Sequence, residues 1–195
     1  MSFRVSVVIS TFNRLPLLQE LLDALGRQTL SPDRFEVLVV DDGSREPAAP
    51  VLAQRKDAYP LTVLTQANAG AAAARHAGIM KATGDVVVIT DDDMLVPPDF
   101  LAEHLAAHDA GPTLVLGQIA ADQTLGEKPL FERFHAEQLA KFVARYREKP
   151  TAVRGVMVCT GNVSFRRADY LAVGGFDRSL SRSEDRELGV RLFER

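Results

Sequence analysis

The chain alternates short β-branched apolar runs with longer stretches of helical periodicity. Residues 3–10 are nearly continuously apolar through Val5, Val7, Val8 and Ile9, the pattern of a strand buried on both faces. A polar turn, Ser10-Thr11-Phe12-Asn13-Arg14, follows. Leu15, Leu18, Leu21, Leu22 and Leu25 then recur at helical spacing, with Pro16 in the first turn and Gly26 near the end. Phe35 to Val40 predicts a second strand that stops at Asp41-Asp42-Gly43-Ser44. A helix over about Ala48 to Ala58 and a third strand, Leu61 to Leu64, come next. Asn68-Ala69-Gly70 opens a helix of small residues, Ala71 to Ala74, carrying Arg75 and closed by Gly84. A fourth strand leads to Asp91, a helix runs from Pro97-Pro98-Asp99 to about His108, and Thr113 to Gly117 reads as a further strand. Residues 122–150 form a polar, mostly helical insertion. Short strands are expected over Val153 to Val158 and Asn162 to Phe165, and a short helix over Arg167 to Val173. A turn at Gly174-Gly175-Phe176-Asp177 precedes a last helix, with Ser183 as N-cap and Leu188 and Leu192 on one face. Strand and helix alternating in this order predict an α/β fold, a mostly parallel sheet with helices on both faces in three α/β/α layers.

The chemistry concentrates where one strand ends. Gly84-Asp85-Val86-Val87-Val88-Ile89-Thr90 runs into Asp91-Asp92-Asp93. Three adjacent carboxylates repel one another and suit neither a strand nor a helix interior. Ligands of open α/β sheets bind beyond the carboxyl ends of strands, so the triplet fits a divalent cation there, Mg²⁺ or Mn²⁺ by its hard oxygen donors, holding a phosphorylated ligand. A solvated acidic turn capping the next helix, with Asp99 taking part, fits the same residues.

Composition narrows the field. The 195 residues carry a net charge of −3, with no basic block to bind nucleic acid. The single cysteine, Cys159, excludes an internal disulfide and reads as a buried inert thiol. Neither a signal peptide nor a membrane-length apolar run is present, so a cytoplasmic protein is expected. The chain stops at Arg195 inside the last helical pattern, which suggests a longer protein. His104 and His108 lie four apart, but Glu103 is misplaced for His-Glu-x-x-His, and a solvated helix face is the expectation. Walker and Gly-x-Gly-x-x-Gly loops are absent, which argues against ATP hydrolysis and dinucleotide redox.

Taken together, Val5–Arg14, Val39-Val40-Asp41-Asp42-Gly43-Ser44, Asn68-Ala69-Gly70, Ala74–Gly78, Gly84-Asp85, Asp91–Asp93, Gly161–Phe165, Gly174–Asp177 and Glu184-Asp185 resemble the family 2 glycosyltransferases of GT-A fold, in order and spacing. The resemblance spans nearly the whole chain. It implies a single GT-A domain over 1–195, with a nucleotide-binding half at 1–110 and an acceptor-side half at 111–195. It implies a metal-dependent, inverting transfer of sugar from a nucleotide-diphospho-sugar, with uridine favoured, to a hydroxyl on a glycan, lipid-linked or small-molecule acceptor. By the same resemblance Asp42 takes the imino N–H of the base, Asp41 supports its loop, and Ser10, Thr11 and Asn13 border base and ribose. Arg75 reaches the nucleotide side. Asp93 ligates the metal; Asp91 or Asp92 binds ribose or metal-bound water, with Asp91 a second candidate ligand. Gly161 and Asn162 line the sugar and acceptor pocket, and Glu184 precedes Asp185, the catalytic base. Such enzymes fit the inner face of a membrane as peripheral proteins. Two features depart from the family pattern: Met94 stands where a further acid is common, and the Gln-x-x-Arg-Trp motif of processive synthases is missing. The competing readings are a non-catalytic nucleotide-sugar-binding or interaction module and, less favoured for want of a glycine-rich phosphate loop after the first strand, a nucleotidyltransferase.

Overall fold

The computed structural model describes residues 4–111, 114–120, 129–148 and 154–195. Its elements are β1 (Val5–Thr11), α1 (Leu15–Leu25), β2 (Phe35–Asp41), α2 (Ala48–Leu52), β3 (Leu61–Thr65), α3 (Ala71–Lys81), β4 (Val86–Thr90) and α4 (Phe100–Asp109), then β5 (Leu114–Leu116), α5 (Leu130–Glu148), β6 (Asn162–Arg166), α6 (Arg167–Ala172) and α7 (Glu184–Phe193). The sheet order is β3-β2-β1-β4-β6-β5. The first four strands are parallel, and β6 runs antiparallel to both β4 and β5.

Alternation along the strands builds the layers. Val5, Val7, Ile9, Val37, Val39, Val86 and Val88 pack against Leu18, Leu21, Leu22 and Leu25 of α1 and Phe100, Leu101 and Leu105 of α4. The opposite face, with Val8, Leu38, Val87, Ile89, Val163 and Phe165, packs against α3, Tyr170 of α6, and Leu188 and Leu192 of α7. The small residues of α3 let it sit close: a Cβ on Gly78 would reach 2.6 Å from Val8 Cγ1.

The order β2-β1-β4 places the switch in strand order between β1 and β4, where open sheets bind ligands. Antiparallel β6 starts at that same edge, with Asn162 opposite Thr90. The ends of β1, β2 and β4 and the start of β6 therefore converge.

Several expectations need correction. The helix after β2 stops at Leu52, and residues 53–58 turn back through Arg55, which pairs with Asp23 and Asp57. Gly155–Met157 is a single 3₁₀ turn in place of a strand, because Gly155 lies against the backbone of Gly189 in α7, where a Cβ would come to 2.2 Å. Val153 and Thr113 lie outside the described residues, as do 121–128 and 149–150 of the insertion. Gly84 does not close α3, which ends at Lys81 with extended Ala82 at its C-cap. Gly84 instead lets the chain pass β1. A Cβ there would meet the Ser6 nitrogen and the Val5 carbonyl carbon, each at 2.7 Å. Gly84→Ala is expected to destabilise by roughly 1–3 kcal/mol, read as a lower urea midpoint with unchanged slope.

The two histidines of α4 are buried, not solvated. The Asn162 amide donates Nδ2–H to the Gln118 carbonyl at 2.9 Å, which leaves Oδ1 to accept from His104 Nε2 at 2.8 Å. His104 Nδ1 then accepts from the Ser164 hydroxyl at 2.7 Å, and that oxygen accepts from His108 Nε2 at 2.8 Å. Burial pushes His104 below its ordinary pKa, against the Asn162 hydrogen bond. A histidine held neutral in the fold stabilises above its unfolded value of about 6.5, and that contribution is lost as pH falls. Stability is expected to drop as pH falls below about 6.5, and to drop less in His104→Gln, by urea titration at each pH.

Candidate active site

Two cavities open along the shared edge. The first, of about 310 Å³, lies over the β1–β4 switch and is lined by Ser10, Thr11, Phe12, Arg14, Asp42, Ala71, Ala74, Arg75, Asp91 and Asp92. Asp42 sits at its base, buried. Its carboxylate accepts from Gln66 Nε2 at 2.7 Å, Ala69 N at 2.9 Å and Gly70 N at 2.8 Å. A carboxylate offers about four lone-pair directions, so one remains for an incoming N–H. Gly70 takes a φ of 89°, the left-handed backbone that points these donors at Asp42. Asp41 is wholly buried and binds the Ser44 and Ala48 amides at 2.9 and 2.8 Å, fixing the loop and the start of α2. Burial would raise this carboxyl, but the N–H donors outweigh it and hold it below its ordinary value.

The three aspartates separate by environment. Asp92 turns inward and is 4% exposed; Thr11 Oγ1 donates to it at 2.7 Å and Arg14 Nη1 at 3.2 Å. Burial pushes its carboxyl up despite these bonds. Asp91 and Asp93 stay more open, and each holds a guanidinium: Arg75 donates to Asp91 at 2.8 Å, and Arg14 to Asp93 at 2.8 Å. Among the described residues, no three His, Cys, Asp or Glu side chains gather into a metal cage. The donors still fit a hard cation, because Mg²⁺ and Mn²⁺ bind through one or two carboxylates when phosphate oxygens and waters complete the shell.

The second cavity, of about 640 Å³, is lined by residues of β5 and the chain after it, α5, the 155–159 segment and the start of α7, with Asn162 and Asp185 among them. Gly161 forms the seam between the two. A Cβ built on it would sit 3.0 Å from Ile119 Cδ1, 3.3 Å from Asp91 Oδ2 and 3.8 Å from Cys159 Sγ. Arg75 ties the same seam together. It is 7% exposed, and besides Asp91 it binds Glu184 of α7 at 2.9 Å. Its Nε is buried without a partner among the described residues.

The fold thus brings Ser10, Thr11, Asp42, Arg75, Asp91 and Asp92 around one cavity, Asn162 and Asp185 around the other, and Gly161 and Glu184 between them. Other expected contacts resolve differently. Asn13 lies outside the lining of both described cavities; its amide donates to Ser44 Oγ and its side chain accepts from Arg45 N, pinning one loop to the next. Asn162 spends its amide on His104 and Gln118, so it shapes the cavity wall. Ser183 stands at the N-cap of α7 but in left-handed backbone (φ 60°) with no capping hydrogen bond. Cys159 is exposed, not buried, because Val158 takes the core side of that segment. Phe12 and Arg14 are lining residues not expected beforehand. An aromatic and a cation within the polar turn that ends the first strand, Phe12 and Arg14, were the available signals.

The sequence profile described as Glycosyl transferase family 2 matches residues 6–174. Validoxylamine A glucosyltransferase of Streptomyces hygroscopicus subsp. limoneus is 34% identical over 218 aligned positions, covering 96% of this chain and 47% of that protein. Among solved structures, residues 1–349 of S. aureus TarS in complex with UDP superpose with a TM-score of 0.77 at 19% identity, covering 98% of this chain and 55% of that one. The mannosyltransferase PcManGT of Pyrobaculum calidifontis, in complex with GDP-Man and Mn²⁺, gives a TM-score of 0.74 at 25% identity, over 98% and 52%. The chain spans about half the length of the relatives it matches.

Proposed function

This chain belongs to glycosyl transferase family 2, with the GT-A fold, and from that premise we propose that it transfers sugar from a nucleotide-diphospho-sugar to an acceptor hydroxyl with inversion. The observation that carries the proposal is Arg75, which links Asp91 of the first cavity to Glu184, the neighbour of Asp185 in the second. Donor carboxylates and candidate base therefore share one seam, with Gly161 between them.

In this reading the nucleotide lies in the first cavity. The remaining acceptor position of Asp42 takes an imino N–H of the base, Phe12 offers a flat apolar wall, and Thr11 holds Asp92 out of the way. Asp93, with Asp91, would hold Mn²⁺ or Mg²⁺, which when bound offsets the charge of the departing nucleoside diphosphate. Asp185 accepts the proton of the acceptor hydroxyl as that oxygen attacks the anomeric carbon from the face opposite the diphosphate. The carbon–oxygen bond to the nucleotide breaks, and the anomeric configuration inverts. UDP is the favoured carrier, although a single lone pair at Asp42 would satisfy uracil and guanine alike. Validoxylamine A in the relative's name supports a small-molecule acceptor.

Thermal-shift measurements with UDP, GDP, dTDP and CDP, each with and without Mn²⁺, test the donor site. Mn²⁺ alone is expected to give no shift, since Asp91 and Asp93 are paired to arginines and the ion needs phosphate oxygens. One nucleotide with Mn²⁺ at 100 times its dissociation constant should stabilise by about 2.7 kcal/mol. Asp93→Ala should remove that shift. A panel with no nucleotide shift in either metal condition would leave the chain a non-catalytic module.

A further inference from the structure

The two oxygens of the Asp42 carboxylate are not equivalent, and the chain leaving β3 makes them so. Strand β3 runs parallel to β2 in a register that pairs Asp41 with Thr65, which brings Gln66 alongside Asp42. The Gln66 backbone N–H donates to the Asp41 carbonyl at 3.0 Å, and the Asn68 side chain donates to the Asp42 carbonyl at 3.0 Å. Gly43 lets the two loops touch: a Cβ there would come to 2.8 Å from Asn68 N. On this fixed frame Gln66 donates Nε2–H to Asp42 Oδ1 at 2.7 Å. An ionised carboxylate only accepts, so the nitrogen of the Gln66 amide is the end that faces it. Oδ1 also accepts from Ala69 N at 2.9 Å, which fills both of its lone pairs. Oδ2 accepts from Gly70 N at 2.8 Å and keeps one position open.

We propose that Gln66 is a specificity-determining positioning residue: by filling Asp42 Oδ1 it leaves a one-donor site, which takes the single imino N–H of uracil or thymine and rejects guanine. This rests on the transferase reading above and names the base class of its donor. Guanine presents two N–H donors side by side, N1–H and the 2-amino group. A free carboxylate accepts both at once, one on each oxygen. With Oδ1 filled, N1–H can still reach Oδ2, but the 2-amino group meets an oxygen with no lone pair left and the N–H donors that already hold it. A polar group left unpaired in this way weakens binding roughly 5- to 150-fold. Uracil and thymine offer one N–H flanked by carbonyl oxygens. There the same donors help, because they offset the charge on Oδ1 that a flanking carbonyl would otherwise face. Gln66 stands outside the lining of the first cavity, so it acts through Asp42 and not on the ligand.

The test is calorimetric titration of the chain with UDP, GDP and IDP, each with Mn²⁺. IDP has the purine ring and imino N–H of GDP without the 2-amino group. UDP and IDP are each expected to bind at least about fivefold more tightly than GDP. Gln66→Met keeps the length of the side chain and removes its N–H. It should tighten GDP at least to the level of IDP and leave IDP little changed. Gln66→Lys returns a donor to Oδ1 and should keep the wild-type order. The three ligands share ribose and diphosphate, so a general disturbance of the loop moves them together and leaves their ratios unchanged. GDP binding as tightly as IDP or UDP in the wild type, ratios unchanged in Gln66→Met, or the order lost in Gln66→Lys as well, overturns the role of Gln66, while nucleotide binding itself keeps the transferase reading. Absence of binding by any nucleoside diphosphate overturns both.

Discussion

Asp185→Asn is expected to lower sugar transfer by roughly 10²–10⁴-fold, the usual contribution of a positioned general base. Nucleotide binding in the first cavity should be unchanged, because Asp185 lines only the second of the two cavities described and makes no hydrogen bond to Arg75 or Asp91. The amide keeps the size and the polarity of the side chain but cannot take a proton. An acceptor hydroxyl is a poor nucleophile at neutral pH, so the loss should fall on turnover with the donor's binding constant preserved. A loss of donor affinity equal to the loss of rate would point instead to a disturbed α7. Steady-state rates together with a thermal-shift titration of the nucleotide separate these outcomes.

The second large effect is expected at Arg75. Its guanidinium makes charge-assisted hydrogen bonds to Glu184 at 2.9 Å and to Asp91 at 2.8 Å from a buried position. Arg75→Met removes the cation and leaves both acids. Breaking a buried pair costs roughly 3–5 kcal/mol, and the lower end applies because the Asp91 side chain is 37% exposed and keeps water. For a chain of this size that corresponds to a fall in Tm of roughly 6–12 °C. Nucleotide binding should weaken as well, since Asp91 loses the partner that orients it. Arg75→Lys should recover part of the stability but less of the geometry, because an ammonium cannot span two acids as a planar fork does. If Arg75→Met melts like the wild type, the bridge between the cavities contributes little and the coupling of donor site and base fails.

Most of the fold was legible because its strands are β-branched runs and its helices carry clear leucine spacing. Val5–Ile9, Phe35–Val40 and Val86–Ile89 had to be buried on both faces, and α1 shows its apolar stripe openly. The carboxylates at the ends of β2 and β4 were legible for the same reason, since charge following a buried strand must lie at an edge. What stayed hidden depended on contacts between distant segments. Nothing local shows that β6 runs antiparallel and lays Asn162 and Ser164 over α4, so the two histidines read as solvated and Asn162 as free to meet a ligand. Gly84 read as a helix stop and Gly155 as part of a strand, whereas each is small because another backbone crosses it. The roles within Asp91–Asp93 divide by burial: Asp92 faces Thr11 inside while its neighbours meet arginines, and that division follows from the turn after β4, not from residue type.

The account centres on attack across the seam, with Asp185 taking the proton and the diphosphate leaving on the far side. Slow hydrolysis of the donor tests this without knowledge of the acceptor, because water can occupy the second cavity. The chain would be incubated with the nucleotide-diphospho-α-sugar of the class that stabilises it, with Mn²⁺, and the first-released sugar read by NMR before its anomers equilibrate. The account predicts the β anomer first, at a rate that Asp185→Asn lowers by at least about 100-fold. Release of the α anomer first, or a rate indifferent to Asp185→Asn, would contradict it.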